Sequence, residues 1–346
     1  MRLNTTLLYR LPLAAALFAA GIASAQTTDI VSIKVPAASS ATTYVAGSLS
    51  VAAQGVQGAK EPARVTHKAS SNASSRHTSG PSSFYPGDVS NPNPSGPTLT
   101  ATQHHPIYVN QTPSHWGNVG GFLTDLGKSD FIHLVDQYTG NYSDNRYTLG
   151  TSFQATYPIP ANHTLQINDI LALVHAGAAI KGNGYGHVYH VFLPQGVDMC
   201  WVDGVGGCYS PDNIPTFVFC AFHSAVDFTD AVGHVLFTVE PYQNTPGCSA
   251  PPSGTANSQL IDSTNDTLSH EIFETISDPD LDAWWVQALT FAYGNEIGDL
   301  CTNVQQIGAH YYSYNPTIPL NGHWYTIQAE YSNRMHGCSS QGNGLN

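Results

Sequence analysis

The sequence predicts an α+β fold: a mixed sheet, one central helix and a disulfide-stabilised frame. Three observations carry this. Strand-like and helix-like segments alternate irregularly along the chain, unlike the regular repeat of a doubly wound parallel sheet. The cysteines are Cys200, Cys208, Cys220, Cys248, Cys301 and Cys338, an even set confined to the C-terminal half, which reads as a disulfide framework. The stretch Ser269-His270-Glu271-Ile272-Phe273-Glu274-Thr275-Ile276-Ser277-Asp278-Pro279 reads as the end of a helix on which ionisable residues are concentrated.

From the N-terminus, residues 1–25 have the layout of a signal peptide. Arg2 and Arg10 supply positive charge, Leu11 to Ala20 is a short apolar run, and Ala23-Ser24-Ala25 is a small-residue cleavage site. No later stretch is long and apolar enough for a transmembrane helix. The expectation is a secreted, extracellular or periplasmic protein with no membrane span. Residues 26–100 are rich in Ala, Ser, Gly, Thr and Pro and bury too little apolar surface to offset chain entropy. They read as a low-complexity linker or pro-segment, mostly disordered, with one strand over Thr28 to Val35.

Residues 101–346 read as the catalytic domain. Ile107 to Val109 is a strand. Val119, Phe122, Leu123 and Leu126, then Phe131, Leu134 and Val135, fall at helical spacing over 118–127 and 131–138, with Asp130 capping the second helix. Ile170, Leu171, Val174 and Ala178 stripe a helix over 167–180, ended by Gly182 and Gly184. Val188 to Leu193, Thr216 to Phe222 and Val235 to Val239 are strands. The central helix runs from about Thr255 to Ile276, stripes Ile261, Leu268, Ile272 and Thr275 along one side, and stops at Pro279. A short helix over 281–289 and strands over 308–312 and 324–330 complete the chain. Spacing does not fix the disulfide connectivity; pairing of neighbours, Cys200–Cys208, Cys220–Cys248 and Cys301–Cys338, is the expectation.

Charged residues are 10% of the chain and the net charge is −13, which argues against a nucleic-acid partner. Glutamate is rare: Glu61, Glu240, Glu271, Glu274, Glu296 and Glu330 are all there are, and three fall between 271 and 296. Residues four apart share a helix face, so His270 and Glu274 can bind one metal ion, with Glu271 as general base on a metal-bound water. The third ligand must come from elsewhere. Glu296 in Gly294-Asn295-Glu296-Ile297-Gly298-Asp299 is the first choice, with Asp299 orienting His270 or exchanging roles with Glu296. One histidine and two carboxylates suit Zn²⁺, with Mn²⁺ or Ca²⁺ as alternatives. His310, Tyr311, Tyr312, His323, Tyr325 and His336 are all available to stabilise an oxyanion.

H-E-x-x-E followed by N-E-I-G-D resembles the gluzincin metallopeptidases, in which one helix carries H-E-x-x-H and a later one N-E-x-x-x-D. The likeness covers about 30 residues. Glu274 stands where that family has a second histidine, the Glu296-to-Asp299 spacing is one residue shorter, and the intervening tryptophan-rich piece differs. A looser likeness links Ser95 to Val109, Gly121 to Tyr138, Tyr189 to Pro194, Cys220 to His223 and Ser269 to Cys301 with the exordium-like (phosphate-induced) secreted proteins and their bacterial relatives. The first resemblance implies a zincin-like, zinc-dependent peptidase acting on a peptide or protein substrate, expected to be a monomer. The second implies a non-catalytic extracellular or cell-wall-associated binding protein.

Other residues receive blander readings. His187 and His190 read as structural, and Trp284 and Trp285 as packing residues rather than a substrate groove. His223, close after Cys220, is a secondary candidate for a metal or substrate contact. Met335 as a methionine beneath a metal is a weak signal. Asp278, Asp280 and Asp282 read as a solvated turn, with structural calcium as the alternative. A pair of glycosidase carboxylates, Glu271 and Glu296, would leave His270 unexplained.

Overall fold

The computed structural model describes residues 30–38, 50–55, 88–93, 95–202, 205–251, 253, 255–286, 296–302, 305–307, 310–312 and 315–342. The signal-like residues 1–25, most of the low-complexity segment and residues 287–289 of the expected short helix lie outside them.

Seven strands form the main sheet in the order β1 (Ile30–Lys34), β5 (Ser152–Thr156), β3 (Thr102–Val109), β7 (His187–Phe192), β11 (His234–Glu240), β10 (Phe219–Asp227) and β2 (Ser50–Gly55). An eighth, β4 (Tyr147–Leu149), pairs with the start of β3. Pairing is parallel from β1 to β11 and antiparallel at β10 and β2. This is the mixed sheet expected of the α+β class. A smaller sheet joins β6 (Thr164–Gln166), β8 (Asp198–Val202) and β9 (Val205–Tyr209).

Because successive side chains of a strand face opposite ways, each central strand serves two cores. Tyr189, Val191, Phe222, Phe237 and Val239 pack with Ile170, Leu171, Val174 and Ala178 of helix α3 (Ile167–Lys181). Val188, Phe192 and Leu236 face the other way, toward α1 (Val119–Leu126) and α4 (Gln259–Ser277). The α3 stripe is the one read from the sequence, and Gln166 and Asp169 close its first turn with a capping box. The 131–138 helix is instead a 3-10 turn over Phe131–Val135 followed by one turn, α2 (Asp136–Thr139).

Helix α4 departs most from expectation. It begins at Gln259, where Ser258 accepts a hydrogen bond from the Ile261 amide, and 17 of its 19 residues are buried. A one-sided stripe predicts a half-exposed helix; here the sheet lies beneath α4, the Phe131–Thr139 turns pack on one flank, and the C-terminal chain packs on another. That chain is cut into short pieces rather than two strands. Helix α5 (Asp299–Thr302) is followed by the hairpins β12 (Gln305–Ile307) with β13 (His310–Tyr312), β14 (Thr317–Leu320) with β15 (His323–Thr326), and β16 (Glu330–Ser332) with β17 (Gly337–Ser339). Residues 281–286 form turns, and Trp285 bridges to Ser90. The cysteines pair Cys200–Cys208, Cys220–Cys248 and Cys301–Cys338, each with its neighbour along the chain. Among the described residues no helix is long and apolar enough to cross a membrane.

Candidate metal centre

Three segments converge on the sheet side of α4. The helix presents His270, Glu271 and Glu274, all with no exposed surface. Strand β10 presents His223: Phe222 and Val226 face α3, so the alternate position points at α4. The turn into α5 brings Glu296 and Asp299, 3% and 2% exposed. That turn is tightly held. The Leu300 and Cys301 amides donate to the Glu296 and Gly298 carbonyls, the Tyr331 amide donates to the Ile297 carbonyl, and Cys301 is bonded to Cys338. Position 298 requires glycine by close approach: a Cβ there would lie 2.5 Å from His270 Nδ1 and 2.8 Å from Glu274 Oε1.

Six nitrogen–oxygen pairs lie 3.1–4.0 Å apart, close to the spacing of ligands around a metal. Glu274 Oε2 is 3.1 Å from His270 Nε2 and 3.5 Å from His223 Nδ1. Glu271 Oε2 is 3.6 Å from His223 Nδ1, and Glu296 Oε1 is 3.6 Å from His223 Nε2. Asp299 Oδ1 and Glu271 Oε1 are 3.9 Å and 4.0 Å from His270 Nε2. A tetrahedral ion with bonds of about 2.0–2.2 Å separates its ligand atoms by roughly 3.3–3.6 Å. His223 Nδ1, His270 Nε2, Glu274 Oε2, Glu296 Oε1 and both oxygens of Glu271 have no hydrogen-bond partner. Such buried groups carry a full desolvation penalty unless something else satisfies them. A divalent cation fits that donor set, and two compact ligand groups are present: His223, Glu274 and Glu296, and His270, Glu271 and Glu274. Glu296 thus groups with His223, whereas the carboxylate of the α5 turn that faces His270 is Asp299.

Surrounding groups fix the orientation of the ligands. The Asp299 amide donates to Glu274 Oε1, leaving Oε2 to the cluster. His223 Nε2–H donates to the Asp278 carbonyl at 3.2 Å, so Nδ1 offers its lone pair. His270 is held differently. Gln328 Nε2 donates to the Gly298 carbonyl and also faces His270 Nδ1 at 2.7 Å, which places the imidazole proton on Nε2.

The electrostatics are those of an uncompensated anionic pocket. Glu240, Glu271, Glu274, Glu296 and Glu330 lie on or beside α4 with 0–3% exposure. Among the described residues none of them pairs with a lysine or arginine. Burial, reinforced by Glu274, pushes the carboxyls of Glu271, Glu296 and Glu330 well above their usual range. Burial raises Glu240 and Asp278 to about 8 and Asp266 to about 7. Glu274 is the exception: burial would raise it, but His270 and His223 outweigh that and hold it at about 2.

Sequence reasoning missed Glu240 and Glu330 and ranked His223 low. Behind Glu240 runs a buried chain: His104 Nδ1 donates to His190 Nε2 at 2.8 Å, His190 Nδ1 to Thr238 at 2.9 Å, and Thr238 to Glu240 Oε1 at 2.7 Å. His190 is structural in this sense, and burial lowers both imidazoles far enough to keep them neutral. Several other candidates are engaged elsewhere. His323 and Tyr325 bond Asp125, and His336 bonds Asp88. The side chains of His310, Tyr311 and Tyr312 lie outside the described residues. Met335 is 55% exposed and underlies no cluster. Asp280 accepts from Tyr185, Asp282 from Asn93 and Asp278 from the Ala283 amide, and none of the three belongs to the two compact ligand groups. Trp284 packs on Tyr138 and donates to its carbonyl.

Comparison with known proteins returns no match to any family model, curated protein or solved structure.

Proposed function

We propose that this chain is an exported, zinc-dependent hydrolase of peptide bonds, with a zincin-like use of α4. The observation that carries the reading is Glu271: a carboxylate with both oxygens unpartnered and no exposure, set beside a ready-made ligand group. His223, Glu274 and Glu296 would hold the metal; His270, adjoining Glu274, belongs to the same cluster. Bound there, Zn²⁺ would supply Lewis acidity and lower the pKa of a water. With the metal bound, Glu271 would take a proton from that water and return it to the leaving amine. Asp278 and Asp299 keep His223 and Glu274 in orientation through backbone hydrogen bonds.

One observation favours a second reading. Every ligand candidate is at most 3% exposed, and closed sites are characteristic of structural metals. In that reading the centre holds together a non-catalytic extracellular binding protein.

The test is metal analysis of the purified exported protein together with hydrolysis of a quenched-fluorescent peptide library. The hydrolase reading expects bound zinc, with Mn²⁺ or Ca²⁺ as the alternative outcomes, and cleavage that Glu271→Gln abolishes without releasing the ion held by His223, Glu274 and Glu296. Full cleavage by Glu271→Gln would end the mechanistic claim. Bound metal with no cleavage, and a large loss of thermal stability on chelation, would establish the structural reading instead.

A further inference from the structure

Glu274 lies between two ligand groups rather than inside one. Each group has its ligand atoms within 4.8 Å of one another, and among the described residues no such group contains both His223 and His270. The two imidazoles therefore fall in different groups, and Glu274 is the residue common to both. Glu274 Oε2 is in reach of both imidazoles, 3.5 Å from one and 3.1 Å from the other. Glu271 also spans the two positions, with Oε2 toward His223 and Oε1 toward His270. We propose that the centre binds two divalent cations that share Glu274, one with His223 and Glu296 and the other with His270 and Glu271.

Charge permits the count. Glu271, Glu274, Glu296 and Asp299 lie in or against the two groups, and as carboxylates they would balance two divalent cations beside two neutral imidazoles.

The two positions are not equivalent. At His223, the Nε2–H bond to the Asp278 carbonyl already leaves Nδ1 as a lone pair. At His270, Gln328 Nε2 faces Nδ1 and is also committed to the Gly298 carbonyl. For His270 Nε2 to become a ligand, its proton must move to Nδ1 and the Gln328 amide must turn its oxygen toward it. The His223 position fills first and the His270 position second, with weaker affinity. The inference rests on the metal reading above and not on hydrolysis; with both cations bound, Glu271 Oε1 is a ligand and only Oε2 faces a water.

The test uses the full exported chain, stripped with a chelator, freed of it and titrated with Zn²⁺ alone. Bound metal is measured by elemental analysis and isothermal calorimetry, and folding by circular dichroism. Two equivalents are expected, the second binding at least tenfold more weakly. His270→Ala should lose the weak equivalent and keep the tight one; His223→Ala should lose the tight one. A single equivalent in the wild-type protein at saturating Zn²⁺ overturns the two-cation centre while leaving the metal reading intact. No bound metal overturns both. The wild-type count decides even if a variant fails to fold.

Discussion

Replacing Glu240 by glutamine separates the electrostatic cost of the buried carboxyls from their packing. Glu240 is fully buried. Its Oε1 accepts the Thr238 hydroxyl, and its Oε2 has no partner. Glutamine keeps the volume and the acceptor and removes the charge. Burial raises the Glu240 pKa from 4.5 to about 8. A carboxyl whose folded-state pKa is raised contributes fully below its unfolded pKa and loses that contribution as pH rises toward the folded value. Glu240 therefore costs the wild-type protein stability between pH 4.5 and 8 that the variant keeps, on top of the loss from the other buried carboxyls, which both proteins share. At 1.36 kcal/mol per pKa unit, the difference is about 3 kcal/mol in favour of Glu240→Gln at pH 7, levelling near 5 kcal/mol above pH 8. Urea unfolding of chelator-treated wild type and variant, at pH 4.5 and pH 7, measures it. Near-equality at pH 4.5 with a wide gap at pH 7 is expected, and loading with Zn²⁺ should narrow the gap by stabilising the ionised carboxyl. A gap that does not change with pH would refute the reasoning, because packing alone has no such dependence.

Two further outcomes follow from the geometry. Gly298→Ala places a methyl against His270 and Glu274, neither with space to retreat; it should cost about 1–3 kcal/mol in urea unfolding and reduce the metal retained after dialysis. Replacing Cys301 and Cys338 by serine frees a loop with ends 37 residues apart and should lower unfolding free energy by about 4 kcal/mol. Loss below 1 kcal/mol would mean that α5 is held by packing alone.

The parts of the centre that were legible in the sequence are local ones. His270, Glu271 and Glu274 share a helix, and helical spacing brings them together without tertiary information. Glu296 and Asp299 stand out because a glycine-bounded acidic turn is suited to folding a carboxylate back onto a helix face. His223 comes from a strand 47 positions before His270, and no local periodicity joins a strand to a helix across the sheet. A usable signal was nevertheless present. Glutamate is so scarce here that each one is informative, and counting only the three near α4 left out Glu240 and Glu330. The burial of α4 on all sides escaped for a related reason. Its polar residues resemble a solvated face, and only the C-terminal hairpins, whose packing depends on long-range contacts, turn that face inward.

Two of the disulfides flank the candidate ligands. Cys220 precedes His223 by three positions and Cys301 follows Asp299 by two, so the links Cys220–Cys248 and Cys301–Cys338 anchor the two segments that must be brought to α4. If the proposed centre holds metal, these two segments are fixed beside α4 only once both links have formed, which needs an oxidising compartment. Under that proposal, oxidation would set the moment of loading.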